Sequence, residues 1–168
     1  MDESREWKKM NDRGFSLLEL IVVMLIMATL FSIAGLSFKT WYDRYKAEGQ
    51  IRILHADLMQ ARLSAMQKNR QQYVVISTGS YALVEDANGN GMNDDPVREQ
   101  KTLLYPATSS VTVIMDTKGL ISTATSPLVS SLSIKFDTGS VVPEYDCIHV
   151  CATRISLGRY DGTKCVPR

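Results

Sequence analysis

Between residues 20 and 38 the chain carries nineteen consecutive side chains without a formal charge. Only Thr29, Ser32, Gly35 and Ser37 interrupt the apolar residues. About 20 apolar residues cross a hydrocarbon core of ~30 Å as a helix, so the run reads as a membrane span. Glu19 stands at its entrance. A carboxylate at bilayer depth costs roughly 2.5–3.5 kcal/mol on insertion scales, and a chain that keeps one is expected to give it a partner. Cleavage after Gly14 would supply that partner, because the freed amino group of Phe15 lies four residues before Glu19. Positions i and i+4 are neighbours on one helix. Placed in adjacent subunits, the same two charges would neutralise each other and set a register.

Two simpler readings fit less of the sequence. A secretory signal has an apolar region of about 7–15 residues before a small-residue cleavage site. Ser32-Ile33-Ala34 imitates such a site, but the run is too long and opens on an acid. A plain single-span anchor would have no use for Gly14-Phe15 or Glu19.

Gly14-Phe15-Ser16-Leu17-Leu18-Glu19-Leu20, preceded by a short leader with basic residues, resembles the class III signal of type IV pilins and type II secretion pseudopilins. The resemblance implies that prepilin peptidase cuts after Gly14 and methylates Phe15. It implies that Glu19 helps dock subunits into a filament, with other pilins or pseudopilins and an inner-membrane assembly platform as partners. It also implies a single-pass inner-membrane protein with its C-terminal domain in the periplasm. The charges alone do not set that orientation, since Arg5, Lys8, Lys9 and Arg13 precede the run while Lys39, Arg44, Lys46 and Arg52 follow it.

The expected organisation is a leader over 1–14, an apolar helix over 15–38, its amphipathic continuation over 39–71, and a globular β domain over 72–168. Trp41, Tyr42 and Tyr45 stand where an interfacial aromatic belt is expected. Ile51, Leu54, Leu58, Ala61 and Ala65 recur at three- and four-residue spacing, with Arg52, Gln60 and Gln67 opposite. Gly49 is a weak point, costing about 1 kcal/mol against alanine. No proline interrupts residues 15–70, so no proline kink is expected.

From residue 72 the pattern becomes β-rich. Residues 72–77 and 81–85 around Gly79-Ser80 predict a hairpin. Further strands are expected over 101–105, 111–115, 131–137, 148–150 and 153–157, with most of 122–131 in a loop. The fold class is therefore α+β: a long N-terminal helix, its first half transmembrane, packed on an antiparallel β domain. The run Asp57-Leu58-Met59-Gln60-Ala61-Arg62-Leu63-Ser64-Ala65, with the later Ile134-Lys135-Phe136-Asp137-Thr138-Gly139, resembles minor pseudopilins of the GspH/FimT type. That resemblance implies a structural subunit of a type II secretion filament. The alternative it leaves is a minor type IV pilin in pilus assembly or DNA uptake.

Few residues suggest chemistry. Asp86, Asn88, Asn90 and Asp94 occupy positions one, three, five and nine of a loop with Gly91 at six, which matches the first part of a calcium loop. The match fails at position twelve, Val97, and the Asn-Gly steps also suit an ordinary turn. Calcium is the one cofactor this sequence suggests. Cys147, Cys151 and Cys165 predict one disulfide and one spare thiol in an oxidising compartment. Cys151–Cys165 is the expected pair, and Cys147–Cys165 is the close alternative. A zinc site from these cysteines with His149 lacks the usual spacing. His55 and His149 sit in no nucleophile motif, so no enzyme is expected.

The net charge of +1 gives no global bias toward nucleic acid. The resemblance implies that some FimT-like minor pilins bind DNA through a basic C-terminal Gly-Arg-x-Arg, whereas this chain has Gly158-Arg159-Tyr160-Asp161, with aspartate in place of the second arginine. Arg154, Arg159, Lys164 and Arg168 with Tyr160 would have to form the patch instead. Nucleic acid is not the expected partner.

Overall fold

The computed structural model describes residues 15–168, with side chains at all of these except 33–37. The expected leader, including Gly14, lies outside the described residues. The chain divides into two compact units, Met1–Lys39 and Thr40–Arg168. One helix, α1 (Leu17–Lys68), runs through both.

In the first unit every described side chain from residue 15 to residue 32 is exposed, Phe15 at 85% and Leu17 at 78%. Apolar surface on that scale marks a site of protein or membrane contact. Among the described residues no helix is long and apolar enough to cross a membrane. The described apolar side chains stop at residue 32 and resume at Phe38. The span expected over 15–38 is thus not shown.

In the second unit the helix turns one face inward. Ala47, Ile51, Leu54, Leu58, Ala61 and Ala65 are buried to 4% exposure or less, which is the stripe predicted by spacing, extended by Ala47. Arg52, Gln60 and Gln67 are exposed on the other side. The helix ends where Asn69 takes a left-handed conformation, φ 52°, and Arg70 N–H reaches back to the Ala65 carbonyl. Asparagine tolerates that conformation better than most residues and is a common helix stop.

Two antiparallel sheets receive the stripe. The first, ordered β3-β2-β1-β4-β5, comprises β1 (Gln72–Ile76), β2 (Ser80–Glu85), β3 (Val97–Thr102), β4 (Val111–Met115) and β5 (Ile121–Thr123). The second, ordered β6-β7-β8-β9, comprises β6 (Leu132–Lys135), β7 (Cys147–Val150), β8 (Ile155–Tyr160) and β9 (Cys165–Pro167). Val74, Val113, Met115 and Ile121 from the first sheet join Ile134, Ile148 and Val150 from the second in one core with the helix stripe.

The predicted hairpin is β1–β2, with Gln72 opposite Glu85 and Ile76 opposite Tyr81. Three strands differ most from expectation, and the strand expected over 153–157 runs Ile155–Tyr160. The strand expected over 101–105 starts earlier, at Val97, and ends at Thr102, because Gln50 holds Tyr105 away from the ladder. Its Nε2 donates to Tyr105 O at 2.7 Å and its Oε1 accepts Tyr105 N–H at 2.9 Å. A short β5 occupies part of the expected loop. β9 was not expected; it tolerates Pro167 because it is the edge strand of its sheet.

Candidate functional site

The N-terminal end of α1 presents the residues that the sequence marks for docking. Leu20 N–H bonds to Ser16 O at 3.2 Å, opening the helix, and Glu19 falls in its first turn. A carboxylate there is favoured by the unpaired N–H groups of the helix start. Phe15, Glu19, Leu20 and Val23 line one shallow groove. Glu19 is exposed, and among the described residues it forms no ion pair. Thr29 and Ser32 donate their hydroxyls to Ile26 O and Ala28 O, so both spend their protons on their own helix.

The loop after β2 brings Asp86, Asn88, Asn90 and Asp94 together, and it uses them on itself. Asp86 Oδ1 accepts the N–H groups of Gly89 and Asn90 at 2.7 and 3.1 Å, and Oδ2 accepts that of Gly91 at 2.9 Å. Asp94 accepts from the amides of Asn88 and Asn90 at 3.3 and 2.9 Å. Gly89 and Gly91 adopt φ of 74° and 73°, which the tight turn requires and glycine permits. Among the described residues no group of three or more histidine, cysteine and acidic side chains could hold a metal ion. These residues thus form a hydrogen-bonded turn closed by its own amides, the ordinary-turn reading that the Asn-Gly steps also allowed. Asp86 is only 3% exposed. Asp86→Ala should cost about 2–3 kcal/mol, the scale for leaving buried donors unpaired, read as a lower urea midpoint.

The disulfide is corrected. Cys147 and Cys165 are joined, with Cα atoms 5.9 Å apart, and Cys151 is free. The reason is strand register. Cys147 on β7 and Pro167 on β9 both stand opposite Gly158 on β8, so Cys165 comes near Cys147. Cys151 lies four residues farther along, about 13 Å at strand rise, in the turn where its N–H bonds to Arg154 O. Its sulfur contacts the His149 ring nitrogens at 3.7 and 3.8 Å, and His149 Nε2 meets Ser131 Oγ at 3.1 Å.

The cations considered for DNA do not form one patch: Arg159 and Arg168 line a common cleft, but Arg154 does not join them. Arg154 precedes β8 while Arg159 is near its end, about 16 Å apart at strand rise. Lys135 covers the Tyr160 ring at 4.5 Å, taking a stacking face. Asp161 accepts the N–H groups of Lys164 and Thr163, each at 2.8 Å, and these bonds hold its carboxyl down at about 2. That carboxylate stands two residues from Arg159 in the chain.

One cluster escaped the sequence reading. Asp57, on the buried side of α1, accepts the Tyr81 hydroxyl and the Lys101 ammonium, the latter at 2.8 Å. Burial, with the bond to Asp57, pushes the Tyr81 hydroxyl well above its ordinary range. The Asp57 bond raises Lys101 as well. An acid one residue from Leu58, inside an apolar stripe, was the available signal. A lysine with a raised folded pKa contributes stability that is complete below its unfolded value, ~10.4, and lost as pH climbs through the folded one. Asp57→Ala should lower stability by about 2 kcal/mol, the scale of an orphaned buried hydroxyl. It should also remove the Lys101 part of the alkaline fall, measured by urea titration between neutral and strongly alkaline pH.

Residues 9–35 match the family model of the prokaryotic N-terminal methylation motif. No curated protein and no solved structure matches the chain significantly. The matched segment contains Gly14, Phe15 and Glu19 and ends within the uncharged run. That motif stands at the head of an exposed apolar helix that continues onto an antiparallel β domain, so the chain carries the N-terminal methylation signal found on type IV pilin-like proteins.

Proposed function

We propose that this chain is a minor pseudopilin, a structural subunit rather than an enzyme, of a type II secretion filament. Prepilin peptidase cuts between Gly14 and Phe15 and methylates Phe15. Residues 15–38 hold the processed chain in the inner membrane, with the β domain in the periplasm, until the assembly platform moves it into the filament. Glu19 then pairs with the Phe15 ammonium of a neighbouring subunit.

The observation that carries this reading is the coincidence of the methylation motif with an exposed apolar helix whose first turn holds Glu19. An exposed carboxylate in an apolar surface needs a cationic partner once water is removed, and the processed Phe15 would offer one at the required spacing. The choice of secretion over a pilus rests on the likeness of the Asp57 and Ile134 segments to GspH-type subunits. The charge on Asp161, where the basic motif of the resemblance has its second arginine, and the capping of the Tyr160 ring by Lys135 speak against DNA uptake.

Intact mass and N-terminal fragmentation of the protein from native membranes test the reading. The expected chain begins at N-methylated Phe15, and Gly14→Val should leave the leader attached. A chain starting at Met1 or Asp2 in cells with active peptidase would leave a single-span anchor. A start near Gly35 would mean a secreted β domain and no role for Glu19.

A further inference from the structure

A cleft within the Thr40–Arg168 unit is lined by Trp41, Arg44, Arg159 and Arg168, together with Glu48 and Glu144. Two bonds tie its loop to the helix. Arg44 Nε–H donates to Val142 O, and Glu48 Oε1 accepts the Glu144 N–H, both at 2.7 Å. The Glu48 carboxylate is thereby committed to backbone. Three guanidiniums face two carboxylates, and among the described residues none of the three forms an ion pair. All three arginines are exposed. Trp41 is 58% exposed and stacks on Tyr45, with ring centroids 5.8 Å apart and planes at 16°.

The geometry points to this cleft as a docking surface for anionic phospholipid headgroups, with Arg44, Arg159 and Arg168 on lipid phosphate and Trp41 at headgroup level. The inference rests on the reading that residues 15–38 lie in a bilayer. Trp41 follows Phe38, the last residue of the uncharged run, by three residues. Three residues of chain reach no farther than about 10 Å, so Trp41 stays near the surface at which the run ends. Tryptophan and tyrosine concentrate at that depth. Guanidinium forks match phosphate oxygens two at a time. The cleft thus joins an interfacial ring to guanidiniums without an ion pair among the described residues, drawn from the helix, β8 and Arg168.

The test uses the processed chain, whose one tryptophan is Trp41 because Trp7 belongs to the leader. It is reconstituted in vesicles of phosphatidylcholine and phosphatidylglycerol in equal parts, with one or the other lipid brominated near the headgroup. Brominated phosphatidylglycerol is expected to quench Trp41 several-fold more than brominated phosphatidylcholine, since each basic residue near an anionic surface is worth about fivefold. Arg159→Glu with Arg168→Glu should bring the ratio to near unity while the chain stays carbonate-resistant and keeps the Cys147–Cys165 bond. A ratio of unity in the native chain, or a native ratio in the variant, overturns the inference. Loss of the preference on adding inorganic phosphate at matched ionic strength reassigns the cleft to free phosphate and overturns the lipid dock. Carbonate extraction of the native chain overturns the bilayer reading, and the dock with it.

Discussion

Gly158→Val is expected to lower the stability of the β domain by about 3 kcal/mol or more, beyond the usual 1–3 kcal/mol of core overpacking. Gly158 lies in the middle of β8, with Cys147 opposite it on one side and Pro167 on the other. A Cβ there would meet Val166 O at 2.5 Å and Cys165 Sγ at 2.7 Å. Its φ is not in the left-handed region, so the obstacle is space. The sulfur belongs to the disulfide and the oxygen to the β9 backbone, and neither is the far end of a flexible side chain. Relief requires moving β9, which also pulls Cys165 from Cys147. A bond closing a loop with a sequence separation of 18 contributes about 3 kcal/mol in the chain-entropy model. Urea midpoints and a thiol count read the two effects separately. The native chain should show one reactive thiol, Cys151, and a variant that cannot close the bond should show three. Gly158→Ala in a Cys147→Ala, Cys165→Ala background apportions the clash. A smaller cost there than in the native background assigns part of it to Cys165 Sγ, and an equal cost assigns all of it to Val166 O.

That site also shows where sequence reasoning stops. Choosing Cys147 over Cys151 needs the register of three strands, and residue types do not encode register where both candidates share one strand direction. Apolar periodicity, by contrast, was legible. Ile51, Leu54, Leu58, Ala61 and Ala65 repeat with the helix period because one face is buried, and all five lie in the core. β1 and β4 were equally plain, since both lie inside their sheet and read as β-branched runs. β3 was misplaced for the opposite reason. It is an edge strand with exposed Arg98, Glu99 and Gln100, so no alternation marks it, and its charges suit an edge protected from pairing. The loop around Asp86 was located correctly, with two chemistries left open for it. Oxygen-rich side chains on a glycine turn serve a cation or the local amides, and spacing alone does not separate the two. The Asp57 cluster was missed because its partners, Tyr81 and Lys101, come from separate strands.

Glu19→Leu is expected to leave the chain membrane-bound and cleaved after Gly14 yet reduce its incorporation into filaments by at least tenfold. The two halves of that result have opposite electrostatic signs. Removing a carboxylate from an apolar segment favours insertion, by up to roughly 2.5–3.5 kcal/mol if the group reaches bilayer depth. A pure anchor would therefore tolerate the change or gain from it. A docking residue would lose the pairing that offsets the desolvation of the Phe15 ammonium, and breaking one partner of a buried pair costs about 3–5 kcal/mol. Tenfold corresponds to only about 1.4 kcal/mol, so the expected loss survives a large discount for residual water. Glu19→Gln separates charge from shape. It keeps the side-chain volume in the groove shared with Phe15, Leu20 and Val23, and its incorporation should fall with that of Glu19→Leu if pairing is electrostatic. The measurement compares carbonate-resistant and sheared-filament fractions of the same cells. Normal incorporation of both variants would remove Glu19 from assembly and leave its place in the first turn to the helix dipole alone. Loss with Glu19→Leu but not with Glu19→Gln would make the contact one of hydrogen bonding and fit, with no requirement for a processed amino terminus.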